Sequence, residues 1–364
     1  MKLALVVPGG VDRSGEARVI PAILALAGRL ARRHEVHVYA LRQEASPGEW
    51  MLAGARVHNI GDGATRLRAI RAIRAEHRRA RFDAIHAIFS GDCSLVAVAA
   101  ARSLRVPGLV HIAGGELVAL PDIGYGGRRR WASRMREAVV LRAADAVTAA
   151  SAPILASLRE LGIEARRVPL GVDLDAWPAA PPRRRPDGPA SLLHVASLNR
   201  VKDQPTLLRA LAILAQRGHA FTADFVGVDT LGGEIQGLAT QLGLGRHVRF
   251  RGFMTQRELR PLFAGADLLV MASRHEAGPL VALEAAVAGV PTVGTAVGHL
   301  LEWAPGAAAT APVGDATALA DAIARVLGDE SLRLAMATAA QRIALAEDAD
   351  RTAQAFEALY REVA

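Results

Sequence analysis

Short apolar runs alternate with amphipathic stretches along most of the chain. Residues 3–8, 35–41, 83–89, 107–112 and 146–151 read as buried strands. Between them, residues 17–33 carry Ile20, Ile23, Leu24, Leu26 and Leu30 at helical spacing. Residues 65–81 set Leu67, Ile70 and Ile73 among arginines, and residues 95–104 and the later part of 122–145 also read as helices. The stretch 177–190 holds Pro178, Pro181, Pro182, Pro186 and Pro189, so it cannot be regular structure and reads as a linker. The alternation then restarts: strands at 192–196, 221–228 and 248–252, and helices at 205–216, 232–242 and 257–263, with two helices after Pro312. Such strand–helix alternation predicts an α/β protein with parallel sheets.

The clearest unit lies at 268–295. Residues 268–272 are a buried strand, 280–288 a helix, and 290–293 the next strand. Gly289 suits the left-handed position after a helix end, and Pro291 blocks continuation. Glu276 then falls in the loop at the carboxyl end of a strand, where open α/β sheets bind ligands. Glu284 falls on the helix that follows.

Length and composition narrow the class. A chain of 364 residues with 51% hydrophobic and 22% charged residues can bury a large core and predicts two domains. The single Cys93 excludes an intrachain disulfide and fits a reducing cytosol; the 11 histidines are scattered without zinc-ligand spacing. The short apolar start reads as a first strand rather than a secretory leader, and no apolar stretch reaches membrane-spanning length without charge.

The net charge of +8 is almost all arginine, because Lys2 and Lys202 are the only lysines. It suits phosphates or an anionic bilayer. Nucleic acid is disfavoured: aromatics make up 4%, and no recognition-module motif is present. Two stretches concentrate the charge, 65–81 and the segment with Arg128, Arg129, Arg130, Trp131, Arg134 and Arg136. Each is open to two readings, a helix lying on a membrane or an ordinary solvated helix face.

Glu276 and Glu284 are eight positions apart. If helical, that spacing separates the backbones by about 12 Å, too far for the acid–base pair of a glycoside hydrolase at about 5–9.5 Å. Two jobs on one elongated ligand fit better. One carboxylate would accept sugar hydroxyls and the other a ribose diol. Free N–H groups at the helix start would favour anionic oxygen between them. The plain alternative is a solvated loop carboxylate and a capping one. The loop 9–15 has P-loop spacing between Gly10 and Gly15, but Glu16 replaces the required lysine. Asp173 and Asp175 form an Asp-x-Asp pair, yet within a turn-like segment, so no metal site is assigned.

Ser273, Glu276, Leu280, Val281, Leu283, Glu284, Ala285, Gly289 and Pro291 together resemble the E-x7-E signature of the family 4 retaining nucleotide-sugar glycosyltransferases. Val248, Phe250 and Gly252 resemble that family's V-x-F-x-G strand, and Pro169, Gly171, Val172 and Asp173 its P-x-G-V-D turn. The resemblance implies the GT-B architecture: two Rossmann-like parallel-sheet domains facing across a cleft. It implies an acceptor-side domain at 1–172, a linker at 173–190, a nucleotide-sugar-binding domain at 191–345, and a last helix at 346–364 crossing back to the first.

It also implies roles. Glu276 is the catalytic-site carboxylate on the donor sugar, and Glu284 holds the ribose. Gly278, Leu280 and Val281 offer backbone N–H groups, whereas Pro279 has none. Lys202 clamps the diphosphate. Ser197 stands where the family has arginine, and Arg200 is the substitute charge. Gly15 keeps one glycine of the pair that lies against the donor phosphate. Ala113 stands where the family often has histidine, His111 is not assigned that role, and Glu116 is the acceptor or sugar contact. The implied activity is retaining, metal-independent, cofactor-free transfer of a sugar to a saccharide or lipid-linked hydroxyl, as in envelope or exopolysaccharide synthesis, in the cytoplasm or at the inner membrane face. The changes at Ser197, Ala113 and Pro279 leave two alternatives, a nucleotide-sugar epimerase of the same fold and a non-catalytic nucleotide- or saccharide-binding relative.

Overall fold

The structure is a computed structural model that describes residues 1–363. It divides into two compact units, residues 1–173 with 347–363, and Leu174–Ala346.

In the first unit the strands are β1 (Lys2–Val7), β2 (Glu35–Ala40), β3 (Gly48–Leu52), β4 (Ala55–Asn59), β5 (Ala84–Ile88), β6 (Gly108–Ile112), β7 (Ala146–Ala149) and β8 (Arg166–Arg167). They form one sheet in the order β3-β4-β2-β1-β5-β6-β7-β8. All pairs are parallel except the β3–β4 hairpin. β1, β5 and β6 are buried along their full length, as strands covered on both faces must be. The helices are α1 (Pro21–Ala31), α2 (Thr65–Arg79), α3 (Asp92–Leu104), α4 (Trp131–Ala143) and α5 (Ala152–Glu160).

Apolar spacing starts the first helix at residue 17, but α1 begins at Pro21. Proline presets the helical φ and lacks the N–H that a first-turn residue leaves unpaired. Residues 17–20 are instead held by a Val11–Val19 bridge and by the Ile20 N–H donated to the Gly10 carbonyl at 2.9 Å. In α2 the inward residues are Thr65, Ala69 and Ile73, while Leu67 faces out.

The second unit repeats the pattern with β9 (Ala190–Val195), α6 (Gln204–Gln216), β10 (Phe221–Val226), α7 (Glu234–Gln241), β11 (Val248–Gly252), α8 (Gln256–Gly265), β12 (Leu268–Val270), α9 (Leu280–Val287), β13 (Thr292–Thr295), α10 (Gly298–Trp303) and β14 (Ala308–Ala311). Its strands are all parallel, in the order β11-β10-β9-β12-β13-β14.

Three helices follow Pro312 rather than two: α11 (Ala316–Gly328), α12 (Glu330–Ala346) and α13 (Ala349–Val363). Asp315 caps α11 by accepting the Ala318 N–H at 2.9 Å, and the Asp329 carboxylate accepts the Leu332 N–H at the start of α12. α13 belongs to the first unit. Its Phe356 and Tyr360 sit in that unit's core, and Tyr360 Oη lies 2.8 Å from His86 Nδ1.

The proline-rich segment has no helix or strand, yet it is strapped to the second unit. Trp177 is buried and donates its indole N–H to the Glu284 carbonyl at 3.0 Å. The Ala180 N–H reaches the Val287 carbonyl, and Arg183 binds the Ala264 and Ala266 carbonyls. Gly289 turns α9 back with φ of +74°; a Cβ there would lie 2.7 Å from the Pro182 nitrogen.

Candidate active site

The strand order of the second unit fixes where its ligand site must lie. The chain enters at β9, moves outward to β10 and β11, then returns to β12 on the other side of β9. The loops leaving β9 and β12 therefore diverge at one point of the sheet's carboxyl edge, the topological switch point. Residues 196–203 and 271–279 are those two loops. The Arg274 N–H donates to the Val201 carbonyl at 2.7 Å and ties them together.

Local chemistry shapes each loop. Gly227 follows β10 with φ of +150°, and a Cβ there would sit 2.0 Å from the Ala196 carbonyl oxygen, so only glycine lets the strands end so close. His194 is buried and held neutral, its pKa lowered to about 4 by desolvation. Its Nδ1–H donates to the Val270 carbonyl, which leaves Nε2 to accept from Gln204, and Gln204 also holds the Ser197 carbonyl. Asn199 accepts the Lys202 N–H at both its backbone oxygen (3.1 Å) and its Oδ1 (3.2 Å), forming the turn that presents Lys202.

On the other loop Ser273 is buried, and Thr295 donates its hydroxyl to the Ser273 carbonyl at 2.6 Å. Three groups converge: Lys202 Nζ lies 2.5 Å from Glu276 Oε1, and Ser273 Oγ donates to that same oxygen at 2.7 Å. A cation 74 positions away in sequence thus meets the loop carboxylate.

Glu276 is pinned from behind. Gly298 opens α10 with φ of +52°, and a Cβ there would lie 2.9 Å from Pro279 Cδ and 3.1 Å from both Glu276 Cβ and Glu276 O. Pro279 caps α9 with extended backbone, and the half-buried Gly278, Leu280 and Val281 lie around this first turn. The Leu280 and Val281 N–H groups belong to the first turn, which no intrahelical carbonyl satisfies.

Glu284 sits further along α9, buried, with one hydrogen bond from Gln256 Nε2 at 2.9 Å. Desolvation raises its pKa to about 7, against a smaller opposing effect from Gln256. A carboxyl poised there near neutrality offers a polar acceptor inside an otherwise apolar helix face.

Two of the expected site residues are held by other partners. Arg200 does not join Lys202: its guanidinium is exposed and pairs with Glu234 of α7 at 3.3 Å. Glu116, in the first unit, spends its carboxylate on its own loop, accepting the Ser90 N–H at 3.0 Å and the Gly114 N–H at 2.7 Å. Burial raises its pKa, and both oxygens brace the loop through these backbone N–H groups. Gly15 also lies in the first unit, in the loop after β1, with φ of +67° and its N–H on the Asp12 carbonyl. The Asp173 carboxylate of the Asp-x-Asp pair is taken by Arg29, with contacts of 2.7 and 2.8 Å. Sequence reading missed Gln256 and Gly298. Gln256 is four residues past a strand end in a polar helix start, and nothing local marks it as a partner of Glu284.

Comparison with known proteins now bears on this geometry. Residues 177–343 match the family described as Glycosyl transferases group 1, and residues 22–176 match Glycosyltransferase Family 4. A D-inositol 3-phosphate glycosyltransferase of Corynebacterium urealyticum is 34% identical over 181 residues, 46% of this chain and 42% of the relative. The chain thus spans less than half the length of the curated relatives it first matches. Among solved structures, a sucrose-phosphate synthase from Thermosynechococcus elongatus superposes with a TM-score of 0.83 at 22% identity, covering 100% of this chain and 99% of that one. HepE of Anabaena, solved in complex with UDP, superposes with a TM-score of 0.76 at 19% identity over 100% of both chains.

Proposed function

The chain belongs to the GT-B superfamily of glycosyltransferases, and from that premise we propose that it moves a sugar from a nucleotide-sugar donor to a hydroxyl acceptor with retention of anomeric configuration and without a metal ion. The observation that carries this proposal is the Lys202–Glu276–Ser273 cluster at the switch point of the second sheet, beside the open first turn of α9. Departure of a nucleoside diphosphate from the anomeric carbon builds negative charge on phosphate oxygen, which pre-placed positive groups must meet. Lys202 is the cation in position. The Leu280 and Val281 N–H groups add helix-end dipoles. Arg200 would join by leaving Glu234, an exchange between two exposed partners that costs little.

In this scheme Glu276 holds Lys202 until the donor phosphate competes for it. The released carboxylate, still bonded by Ser273, then accepts donor-sugar hydroxyls. Glu284 accepts the ribose diol once ionised. The donor phosphate itself helps deprotonate the acceptor hydroxyl on the same face, the mechanism the family resemblance implies. A saccharide or lipid-linked alcohol is the acceptor class.

The test is a thermal-shift screen of uridine, guanosine and adenosine diphosphates and their sugars, starting with UDP and UDP-glucose because a protein of this fold was solved with each. A ligand at 100 times its Kd raises stability by about 2.7 kcal/mol. Product analysis of the stabilising donor then separates the readings. Acceptor-dependent release of nucleoside diphosphate supports transfer, a sugar isomer formed from donor alone supports an epimerase, and binding without turnover supports a non-catalytic role.

A further inference from the structure

The helix α4 leaves an apolar stripe uncovered. Trp131, Met135 and Val139 are 76%, 58% and 63% exposed. They stand four residues apart, so they line one side of the helix over about 12 Å. The opposite side carries the packing: Val140 and Leu141 are buried against the first unit. The stripe is therefore not the helix's core face, and three large apolar side chains in a row are not the scattered exposure that any surface shows.

The charge around the stripe has one sign. Arg129, Arg130, Arg134, Arg136 and Arg142 are exposed, and Arg128 lies just before them. The single carboxylate between residues 128 and 142 is Glu137, and it is turned inward, 3.8 Å from Arg128, lining a small internal cavity with Ser94 and Ser133. Within residues 128–142 the charges facing solvent beside Trp131 are thus all cationic. α3 packs between α2 and α4, and α2 extends the same character: Leu67 is 59% exposed and Arg71, Arg74 and Arg78 are exposed.

We infer that this face, centred on Trp131, Met135 and Val139, is a docking surface for an anionic lipid bilayer, with the stripe entering the headgroup layer and the arginines meeting acidic headgroups. The chemistry selects this occupant. A soluble polyanion would satisfy the arginines but leave the apolar stripe in water. A neutral apolar partner would bury the stripe and strand the arginines. An anionic interface takes both, because tryptophan suits the headgroup boundary and arginine stems lie along apolar surface while their heads reach phosphate. Basic residues beside the bilayer act within about one Debye length, so binding must weaken with salt. The inference stands apart from the donor site, which lies in the other unit.

Co-sedimentation with phosphatidylcholine vesicles, with and without phosphatidylglycerol, tests it, read together with tryptophan emission. Trp177 and Trp303 are buried and Trp50 is partly covered, so an emission shift on binding reports mainly Trp131. The expected result is binding to the anionic vesicles only, a blue shift, and reversal in high salt. The variant Trp131→Ser/Met135→Ser/Val139→Ser should abolish binding and the shift. Its substitutions lie on exposed positions, so its melting curve should match the parent. The double variant Arg130→Gln/Arg134→Gln should weaken partitioning about 25-fold, at about fivefold per arginine. Equal binding to neutral vesicles, no binding to anionic ones, or an unchanged triple variant would overturn the inference. So would a parent protein that sediments as a dimer which the triple variant abolishes, since the face would then belong to a second copy.

Discussion

Replacing Glu284 by Gln isolates the conflict between stability and ligand binding at this site. The native carboxyl is buried on α9, and desolvation carries its pKa from the ordinary 4.5 to about 7. A raised pKa means that the folded state holds its proton more tightly than the unfolded chain. Stability is therefore full below pH 4.5 and falls as pH climbs through about 7. At about 1.4 kcal/mol per pKa unit, the penalty is below about 1 kcal/mol at pH 5 and reaches about 3 kcal/mol at pH 8.

Glutamine keeps the shape and can still accept the Gln256 N–H through its carbonyl oxygen, but it never ionises. Glu284→Gln should therefore exceed the parent by less than about 1 kcal/mol at pH 5 and by about 3 kcal/mol at pH 8. For a unit of this size that is a rise of about 2–4 °C in Tm per kcal/mol. Calorimetry at the two pH values reads it directly. The same change should weaken nucleoside diphosphate binding 10- to 100-fold at pH 8, since a hydrogen bond to a charged acceptor is worth about 1.5–3 kcal/mol. Parent affinity should rise with pH through about 7 as the carboxylate forms. A stability gain that is equal at pH 5 and pH 8, or a variant that binds nucleotide like the parent, would refute the reasoning.

Other perturbations follow from the same geometry. Gly298→Ala places a Cβ 2.9 Å from Pro279 and 3.1 Å from Glu276 at a φ of +52°, so it should cost about 1–3 kcal/mol in denaturant melts and displace the Glu276 loop. Lys202→Met removes the cation paired with Glu276 and should cut donor affinity at least tenfold while shifting Tm little, because the lysine is partly solvent-exposed. Gln256→Leu removes the hydrogen bond that holds down the Glu284 pKa, so the alkaline rise in donor affinity should move to higher pH, a shift visible in binding titrations. Tyr360→Phe leaves buried His86 Nδ1 without its 2.8 Å partner and should destabilise the first unit by about 1–3 kcal/mol.

The order of apolar runs and turn residues was enough to specify two parallel-sheet α/β units, because burial on both faces demands continuous apolar strands and each parallel step demands a helix. Gly289 and Pro291 mark the end of α9 through local backbone rules that act within a few residues, whereas apolar spacing alone passes over Pro21 and starts α1 four residues early. The pair Glu276 and Glu284 is likewise legible, since loop and helix are adjacent in sequence. What the chain pattern cannot carry is distance between remote segments. That Lys202 and not Arg200 meets Glu276 depends on the loops after β9 and β12 parting at one point of the sheet, and on Glu234 lying within reach of Arg200. The spending of Glu116 on backbone N–H groups, the near-neutral pKa of Glu284, and the outward turn of Trp131 depend in the same way on which neighbours exclude water. Local preference sets the elements, but hydrogen bonding and desolvation at a site are sums over residues far apart in the chain, and only the folded arrangement fixes those sums.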